Sequence, residues 1–407
     1  MTSAPVPLSG IRFQQEPAQL YREMRREHGA VVPVLLDGDI PAWLVIGYRE
    51  LHQVTGDPAL FSRDSDLWNQ WPNIPDDWPL RPMIGHKQPS ILYTVGERHR
   101  ERAAMLGDAL AGVEPSELRG HSERFADELI DNISLKGGAD LIAEYAMLLP
   151  VRVLARLFGF ADDEGPDLVT AMNDLVDGRE RALAGQQHLF ASMTRLVNER
   201  KAAPADDVAS RMLADTSGFT EEEIVQDLMV MITAGHQPTA DWIGNSLRLM
   251  LTDERFAASL FGGRNSIAEA MNEVLWEDTP TRKVAGRWVT RDTQLGGHRI
   301  RAGDMVVLGL QGANSDPQVR TDSSALTGGN AAHFSFGHGE HRCPFPAQEI
   351  AEVIARTGIE VVLDRLPDID LAVPAESLTR RPSPWLRGLT ELPVTFTPTP
   401  ALGGTFA

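Results

Sequence analysis

The sequence lacks the features that mark secreted, membrane-spanning and nucleic-acid-binding proteins. One cysteine in 407 residues excludes an internal disulfide bond. No run of about 18 apolar residues occurs, and residues 1–7 lack the basic and apolar parts of a signal peptide, so we expect no membrane partner. The formal net charge is -19 with no block rich in Lys and Arg, so we expect no nucleic-acid partner. These absences predict a cytoplasmic protein.

The sequence also lacks internal repeats, linkers, and glycine-rich fingerprints for flavin or nucleotide binding. The absence of repeats and linkers predicts one domain covering residues 1–407. From residue 97 to about residue 260 the apolar residues follow a helical period, and the segment 220–223 is a capping box that opens a long helix. Short strand patterns lie at 31–36, 42–46, 286–289, 293–295, 298–300 and 305–308. The sequence therefore predicts a mainly α protein with small β-sheets.

An irregular segment, residues 61–95, contains the tryptophans Trp68, Trp71 and Trp78 among several prolines. Loops seldom bury large aromatic side chains, which leaves two interpretations. The segment either packs on the core as a structural loop, or forms an aromatic wall over a ligand pocket.

The single cysteine, Cys343, lies in a distinctive setting near the C-terminal third of the chain. Gly337 and Gly339 precede it and allow the backbone to pass close to a bulky group. His341, two residues before the cysteine, offers a donor at the same surface, and a helical pattern follows from about Ala347. A lone cysteine is usually an inert core residue, but this arrangement suits a thiolate held under a haem iron.

The run from Phe334 to Cys343 matches the F-x-x-G-x-G-x-H-x-C signature, and the chain resembles the cytochrome P450 family over nearly its whole length. The resemblance implies a single helical domain with small sheets around a buried haem b. Cys343 would be the axial iron ligand and would favour O–O cleavage of bound dioxygen. Phe336, Gly337, Gly339 and His341 would surround the cofactor. Electrons would come from a ferredoxin and a ferredoxin reductase.

Two further segments resemble family landmarks that bind the haem propionates. His99 corresponds to the histidine of an H-x-x-x-R motif, but the expected arginine is Ala103. Arg102 or Arg100 could substitute, or both could belong to a solvated basic face. Arg287 resembles the arginine that pairs with a propionate, a geometry for which guanidinium is well suited.

Three features of the chain depart from the family pattern. Phe345 occupies a position that is usually glycine, which should reshape the turn after the cysteine. The helical E-x-x-R motif reads Glu273 to Trp276, so the arginine is missing. The segment 315–332 is also expected to lack its arginine partner. Glu273 should then be exposed or paired with Arg282 or Lys283, because an unpaired buried charge is costly.

The long helix carries the departure that concerns mechanism. The family motif A-G-x-(D/E)-T reads Ala234 to Pro238, with Gln237 in place of the acid and Pro238 in place of the alcohol. Glutamine does not titrate and proline has no donor, so neither can relay protons. Ala234, Gln237 and Thr239 remain the expected catalytic positions on this helix. The neighbouring histidine, at position 236, handles protons or is a satisfied core residue.

The family layout also implies a substrate pocket built from three regions, although each residue could equally belong to the ordinary core. Its expected members are Trp68, Trp71, Ile84, Val230, Thr233, Lys283, Val284 and Leu386.

Three functions are compatible with these residues. The tryptophans and the missing acid–alcohol pair favour oxidative C–C or C–N coupling of an aromatic substrate, such as an indole, a phenol or a cyclic dipeptide. The alternative is hydroxylation of a C–H bond in a small natural product. The third is a non-catalytic haem-binding protein, which the lost arginine and relay suggest.

Overall fold

The computed structural model describes residues 4–84, 89–176, 180–257, 264–320 and 329–402. Helices dominate these residues, as predicted. They are α1 Arg12–Gln15, α2 Pro17–His28, α3 Tyr48–Gly56, α4 Arg81–Ile84, α5 Gly96–Ala111, α6 Pro115–Asp131, α7 Leu148–Phe158, α8 Gly165–Val176, α9 Ala182–Ala202, α10 Val208–Leu213, α11 Glu221–Thr252, α12 Glu254–Ala257, α13 Arg264–Glu277, α14 Leu310–Asn314 and α15 Phe345–Arg365.

The strands are short and form three small sheets. They are β1 Val6–Pro7, β2 Val31–Leu36, β3 Ile40–Val45, β4 Phe61–Ser62, β5 Gly138–Asp140, β6 Val284–Val289, β7 Thr293–Leu295, β8 His298–Ile300, β9 Met305–Leu308, β10 Asp370–Leu371 and β11 Pro393–Thr395. The largest sheet has the order β1-β2-β3-β9-β6-β4, and the others are β10-β11-β5 and β7-β8. The mainly α fold with small sheets is therefore confirmed.

The long helix α11 runs through the helical part of the molecule and has 32 residues, about 48 Å at 1.5 Å per residue. Its capping box is formed as predicted. Thr220 Oγ1 accepts a bond from the Glu223 amide at 3.2 Å, and Glu223 accepts one from the Thr220 amide at 2.9 Å. It packs on α7, α9, α13 and α15. Because neighbours surround it, α11 can hold side chains at the centre of the protein.

The six-stranded sheet positions one of the predicted cofactor residues. Strands β6 and β9 are antiparallel, pairing Arg287 with Val306 and Val284 with Leu308. The register shifts between Val284 and Arg287, and Gly286 has a φ of 92° at this irregularity. A β-bulge changes the direction of the side chains that follow it. The predicted strands 286–289 and 305–308 are both present here.

Within the described ranges, none of the helices has the length and apolar character that a bilayer span needs.

Candidate active site

The loop before α15 holds Cys343 through a compact set of backbone bonds. The Cys343 amide donates to Phe336 O at 2.9 Å, and the Gly337 amide donates to Phe334 O at 2.8 Å. Gln348, in the first turn of α15, donates to Cys343 O at 2.9 Å. These bonds fix the position of the cysteine backbone relative to both the loop and the helix.

The two glycines of this loop are required by its geometry. Gly337 and Gly339 have φ angles of 74° and 76°, a conformation that other residues rarely adopt. A side chain at Gly339 would also place its Cβ 2.1 Å from the carbonyl oxygen of Thr55. The loop can therefore fold this way only with glycine at position 339.

The Cys343 thiol is half-buried, and burial raises its pKa to about 11. A thiol in such surroundings stays protonated at neutral pH unless a cation stabilises the thiolate. Coordination to a metal ion deprotonates a thiol outright. The cysteine thus fits a ligand role better than the role of a free nucleophile.

Above the loop, three buried donors lie close together. The rings of His99 and His341 are 3.9 Å apart. Within the described chain, His99 Nδ1, His341 Nε2 and Arg287 Nη1 have no hydrogen-bond partner. Burial, with the nearby charge of Arg287, lowers the pKa of His341 to about 2. A buried set of unsatisfied donors and positive charge suits a ligand that carries carboxylates, such as the propionates of haem.

The helix α11 presents an accessible stripe with little polar character. Ala234 is exposed, and Val230 and Pro238, one turn to either side of it, are half-buried. Thr233 is half-buried as well, and its hydroxyl donates to Met229 O at 2.7 Å. The stripe therefore offers an apolar wall, and its one hydroxyl is bonded to the backbone of the helix.

Comparisons with known proteins agree with this arrangement. No family model matches the chain. A vitamin D(3) 25-hydroxylase of Pseudonocardia autotrophica is 29% identical over 396 residues, which cover 95% of each chain. PksS, a polyketide-biosynthesis cytochrome P450 of Bacillus subtilis, is 27% identical and covers 87% of this chain and 89% of its own. The solved structure of CYP154C4 from Streptomyces sp. ATCC 11861 is 26% identical with a TM-score of 0.87, covering 97% of this chain and 98% of its own.

These similarities support a bacterial cytochrome P450. The chain is an oxidoreductase, and its cofactor is a haem.

Arg102 of this P450 departs from the predicted propionate contact. Its guanidinium is buried and binds both carboxylate oxygens of Asp227, at 2.6 and 2.9 Å. It also donates to Thr94 Oγ1 at 3.1 Å and to Pro89 O at 2.8 Å. Because all three nitrogens are directed to protein acceptors, Arg102 ties α5 to α11 and does not join the His99 cluster. The other candidate, Arg100, is exposed and pairs with Glu97 at 2.5 Å.

Two expected catalytic residues of α11 do not reach the accessible stripe. Gln237 is 1% exposed, and its amide donates to Asp241 Oδ1 at 3.1 Å and to Met147 Sδ at 3.3 Å. Thr239 is buried, and its hydroxyl donates to Gly235 O at 2.6 Å. Ala234 alone of the three predicted positions is accessible.

The neighbouring His236 is a core histidine with one ring nitrogen hydrogen-bonded to the backbone. Its Nε2 lies 2.8 Å from Met147 O, and burial lowers the pKa of the ring to about 4. Its side chain is fully buried, which supports the structural interpretation over proton handling from solvent.

The broken E-x-x-R motif is compensated by residues that the sequence reasoning missed. Glu273 is buried and pairs with Arg320 at 2.5 Å, so the segment 315–332 does contain an arginine partner. Arg320 also lies 3.0 Å from Glu277. In place of the missing arginine, Trp276 donates its indole N–H to Asn330 O at 2.7 Å. The presence of an arginine at position 320, six residues after Asn314, is the sequence feature that could have indicated the pair with Glu273.

The predicted partners of Glu273 are engaged elsewhere. Arg282 donates to Phe13 O at 2.8 Å and also to Ser383 O. Lys283 is 1% exposed, with its ammonium 3.6 Å from the centre of the Phe13 ring and 3.4 Å from Leu8 O. Both side chains therefore hold the N-terminal segment. This placement also contradicts the expectation that Lys283 lines a substrate pocket.

The tryptophan-rich segment packs largely on the core. The ring centres of Trp68 lie 4.8 Å from Trp71 and 6.0 Å from Trp78. Trp68 and Trp78 are buried in the cluster formed with β2 and β3, and Trp71 is half-buried. Ile84 and Leu386 are buried in that same cluster, whereas Val284 is half-buried in β6. The structural interpretation of Trp68 and Trp78 is thus the better one, and Trp71 retains an accessible face.

Proposed function

We propose that this P450 oxidises a small natural product that carries its own N–H or O–H donor close to the reacting position. The observation that supports this is the apolar stripe Val230, Ala234 and Pro238 on α11. The family acid and alcohol are absent at positions 237 and 238, and Gln237 is buried away from the stripe. A donor on the substrate would then supply the proton that the helix does not.

The reaction we put first is insertion of oxygen into a C–H bond. The names of several relatives describe this chemistry, including the vitamin D(3) 25-hydroxylase and a 2-hydroxy-5-methyl-1-naphthoate 7-hydroxylase of Streptomyces carzinostaticus, which is 25% identical over 400 residues. PikC of Streptomyces venezuelae, a P450 monooxygenase, is 26% identical over 395 residues. The relatives support oxidation of small molecules as the class of reaction.

The second candidate is oxidative C–C or C–N coupling of an aromatic substrate, such as an indole, a phenol or a cyclic dipeptide. Hydrogen abstraction from an N–H or O–H would start this reaction, so the missing acid–alcohol pair is compatible with it. The half-buried ring of Trp71 supports contact with an aromatic ligand.

The cofactor we propose is haem b, with Cys343 as its iron ligand and His99, His341 and Arg287 around its propionates. When bound, haem activates dioxygen with electrons delivered one at a time. We propose a ferredoxin and its reductase as donors, a cytoplasmic location, and a single domain for the whole chain. The sequence contains no flavin or nucleotide fingerprint of its own, which supports separate electron donors.

The test is a screen for substrate-induced shifts of the Soret band, with aromatic cyclic dipeptides against steroids and macrolides, followed by product analysis. Turnover with a ferredoxin and its reductase should give a product that gained one oxygen for hydroxylation. Coupling instead joins two units with the loss of two hydrogens. A protein that forms no product in the presence of dioxygen and reductant would contradict both reactions.

A paired substitution tests the role of the substrate donor. Gln237→Glu with Pro238→Thr should lower the share of electrons lost as hydrogen peroxide when the substrate lacks an N–H or O–H. Pro238→Ala, which restores the backbone N–H without an alcohol, is the matched control and should change that share little. Equal peroxide yields in all three proteins would refute the proposed proton source.

A further inference from the structure

The face of α5 that carries His99 offers no guanidinium as a cation for the haem propionates. His99 lies on this helix, and Ala103 follows one turn later on the same face, where it presents only a methyl group. Arg102 is bound to Asp227, so it cannot supply the missing cation. We propose that Arg63, from a different part of the chain, supplies the second guanidinium for the haem propionates. This inference rests on the assignment of haem as the cofactor.

Arg63 follows β4 and bridges two segments that lead to the cofactor site. Its Nε donates to Leu92 O at 2.6 Å, in the turn that precedes α5. Its Nη1 donates to the carbonyl oxygens of Ala285 and Gly286, at 2.8 and 3.0 Å. Those two residues come directly before Arg287. The guanidinium therefore sits between the segment that leads to His99 and the strand that carries Arg287.

The glycine at position 286 makes this approach possible. A Cβ at Gly286 would lie 3.1 Å from Arg63 Nη1 and 3.2 Å from the Trp288 ring. On the other side, the guanidinium carbon of Arg63 is 5.3 Å from the centre of the Tyr93 ring. Backbone carbonyls and an aromatic ring thus hold the arginine in one position. The three hydrogen bonds use Nε and Nη1, and none of them uses Nη2.

The charge of Arg63 is not neutralised by the protein. It is 5% exposed, and no described carboxylate lies within ion-pair distance of it. Burial lowers the pKa of Arg287 and of His99, and the nearby Arg63 charge lowers both further. The carboxylate of Glu340 has the opposite effect and raises the pKa of both Arg287 and His99. Buried like charges are costly unless an anion compensates them, and two propionates would provide that compensation.

Arg63 could instead act only as a brace for the carbonyl groups it binds. Two variants distinguish these roles. Arg63→Lys keeps the charge and loses the fork of donors, whereas Arg63→Gln keeps an amide donor and loses the charge. Haem transfer to apomyoglobin, followed by absorbance, measures retention directly. Loss of a charge-assisted bond should make Arg63→Gln release haem about 10 to 100 times faster, with Arg63→Lys within about threefold of the parent.

A rescue variant and a potential measurement complete the test. Ala103→Arg, on the His99 face of α5, should restore haem retention in the Arg63→Gln background. The ferric–ferrous midpoint potential should fall in Arg63→Gln, because a positive charge near the iron is lost, and should rise again in the double variant. Arg26→Gln, at an exposed arginine of α2 that lies next to Glu27, is the control and should release haem at the parental rate.

Three results would overturn the proposal. Equal rates of haem release from Arg63→Lys and Arg63→Gln would show that the charge of Arg63 does not contribute to retention. Release from Arg63→Gln at the parental rate would show that Arg63 itself does not contribute. Failure of Arg63→Gln to fold would make bracing of the backbone its main role. A parent protein that never binds haem would refute the cofactor assignment itself and is recognisable before any variant is made.

Discussion

At the scale of single residues, the environment of each side chain decides its chemistry. Cys343 lies half-buried in a loop and His236 is fully buried in α11, and their surroundings suit them to different roles. The loop of the cysteine stacks His341 on His99, next to donors that have no partner among the described residues. The histidine is enclosed within helices and bonded to a carbonyl. Residue type alone does not separate the two roles.

Replacement of Cys343 tests the ligand assignment. Cys343→Ala should abolish the Soret signature of the thiolate-bound carbon monoxide complex in the reduced protein, since no other thiol exists in the chain. Phe345→Gly, two residues further on, alters the turn and should keep the signature. A normal thiolate spectrum in Cys343→Ala would disprove the assignment.

The buried His236 should make stability depend on pH. Burial lowers its pKa to about 4, below the ordinary value of about 6.5, so the unfolded chain binds a proton that the folded protein excludes. Its contribution is complete above pH about 6.5 and is lost as pH falls towards about 4, with a limit of about 3 kcal/mol. His333, whose pKa burial also lowers to about 4, adds a similar dependence.

His236→Asn should therefore flatten the decline in the free energy of unfolding between these pH values, measured by urea denaturation. His188→Asn, at an exposed position of α9, is the control. An unchanged slope in His236→Asn would show that the residue is protonated equally in both states. The remaining slope belongs to His333 and to other groups.

At the scale of elements, contacts between α13 and the following segment replace a missing family motif. The Glu273–Arg320 pair and the Trp276–Asn330 bond both join α13 to residues that precede the cysteine loop. The Trp276 ring also lies 5.8 Å from that of His333, which is 6.1 Å from Phe336. The chain thus keeps the connection between helix and loop with different side chains.

Loss of Arg320 should be costly because it removes an ion-pair partner from the buried Glu273 carboxylate. Glu273 is 0% exposed, and removal of one partner of a buried pair costs about 3–5 kcal/mol. Arg320→Ala should lower the free energy of unfolding by that amount and speed haem loss. Glu273→Gln in the same background should recover part of it.

The exposed pair formed by Arg299 with Asp292 provides the matched comparison. These atoms are 2.8 Å apart, and the two side chains are 73% and 49% exposed. Arg299→Ala should cost only about 0–1 kcal/mol in the same denaturation experiment. Similar costs at the two sites would mean that the Glu273–Arg320 pair is not the link inferred here.

At the scale of the whole molecule, segments that are distant in sequence meet at the candidate haem site. The loop before α15, α5 and β6 bring His341, His99 and Arg287 together, and one buried nitrogen of each side chain has no partner among the described residues. A ligand that binds only the folded state raises its stability, by about 4 kcal/mol at a concentration 1,000 times the dissociation constant.

Removal of haem should therefore lower the thermal midpoint, and iron-free protoporphyrin IX should restore part of it. The porphyrin keeps the propionates but cannot bond Cys343. The Cys343→Ala variant is the control and should gain as much from the porphyrin as the parent does. No stabilisation by the porphyrin would count against the propionate site formed by His99, His341 and Arg287.

The sequence by itself determined the fold class and the haem cofactor, and it predicts Cys343 as the iron ligand. Local patterns carry these: the glycine spacing before Cys343, the capping box before α11, and the short strand patterns 286–289 and 305–308. Each depends on neighbours along the chain, so spacing is sufficient to predict it.

Only the tertiary structure decided which charges meet. Arg102 binds Asp227, 125 residues away, Glu273 binds Arg320, and Lys283 lies under Phe13. From the sequence we expected Arg102 to bind a propionate and Lys283 to line a substrate pocket. We expected Glu273 to be exposed or to pair with Arg282 or Lys283. Pairing of a buried charge depends on which elements pack together, because its energy comes from partners that are distant in sequence.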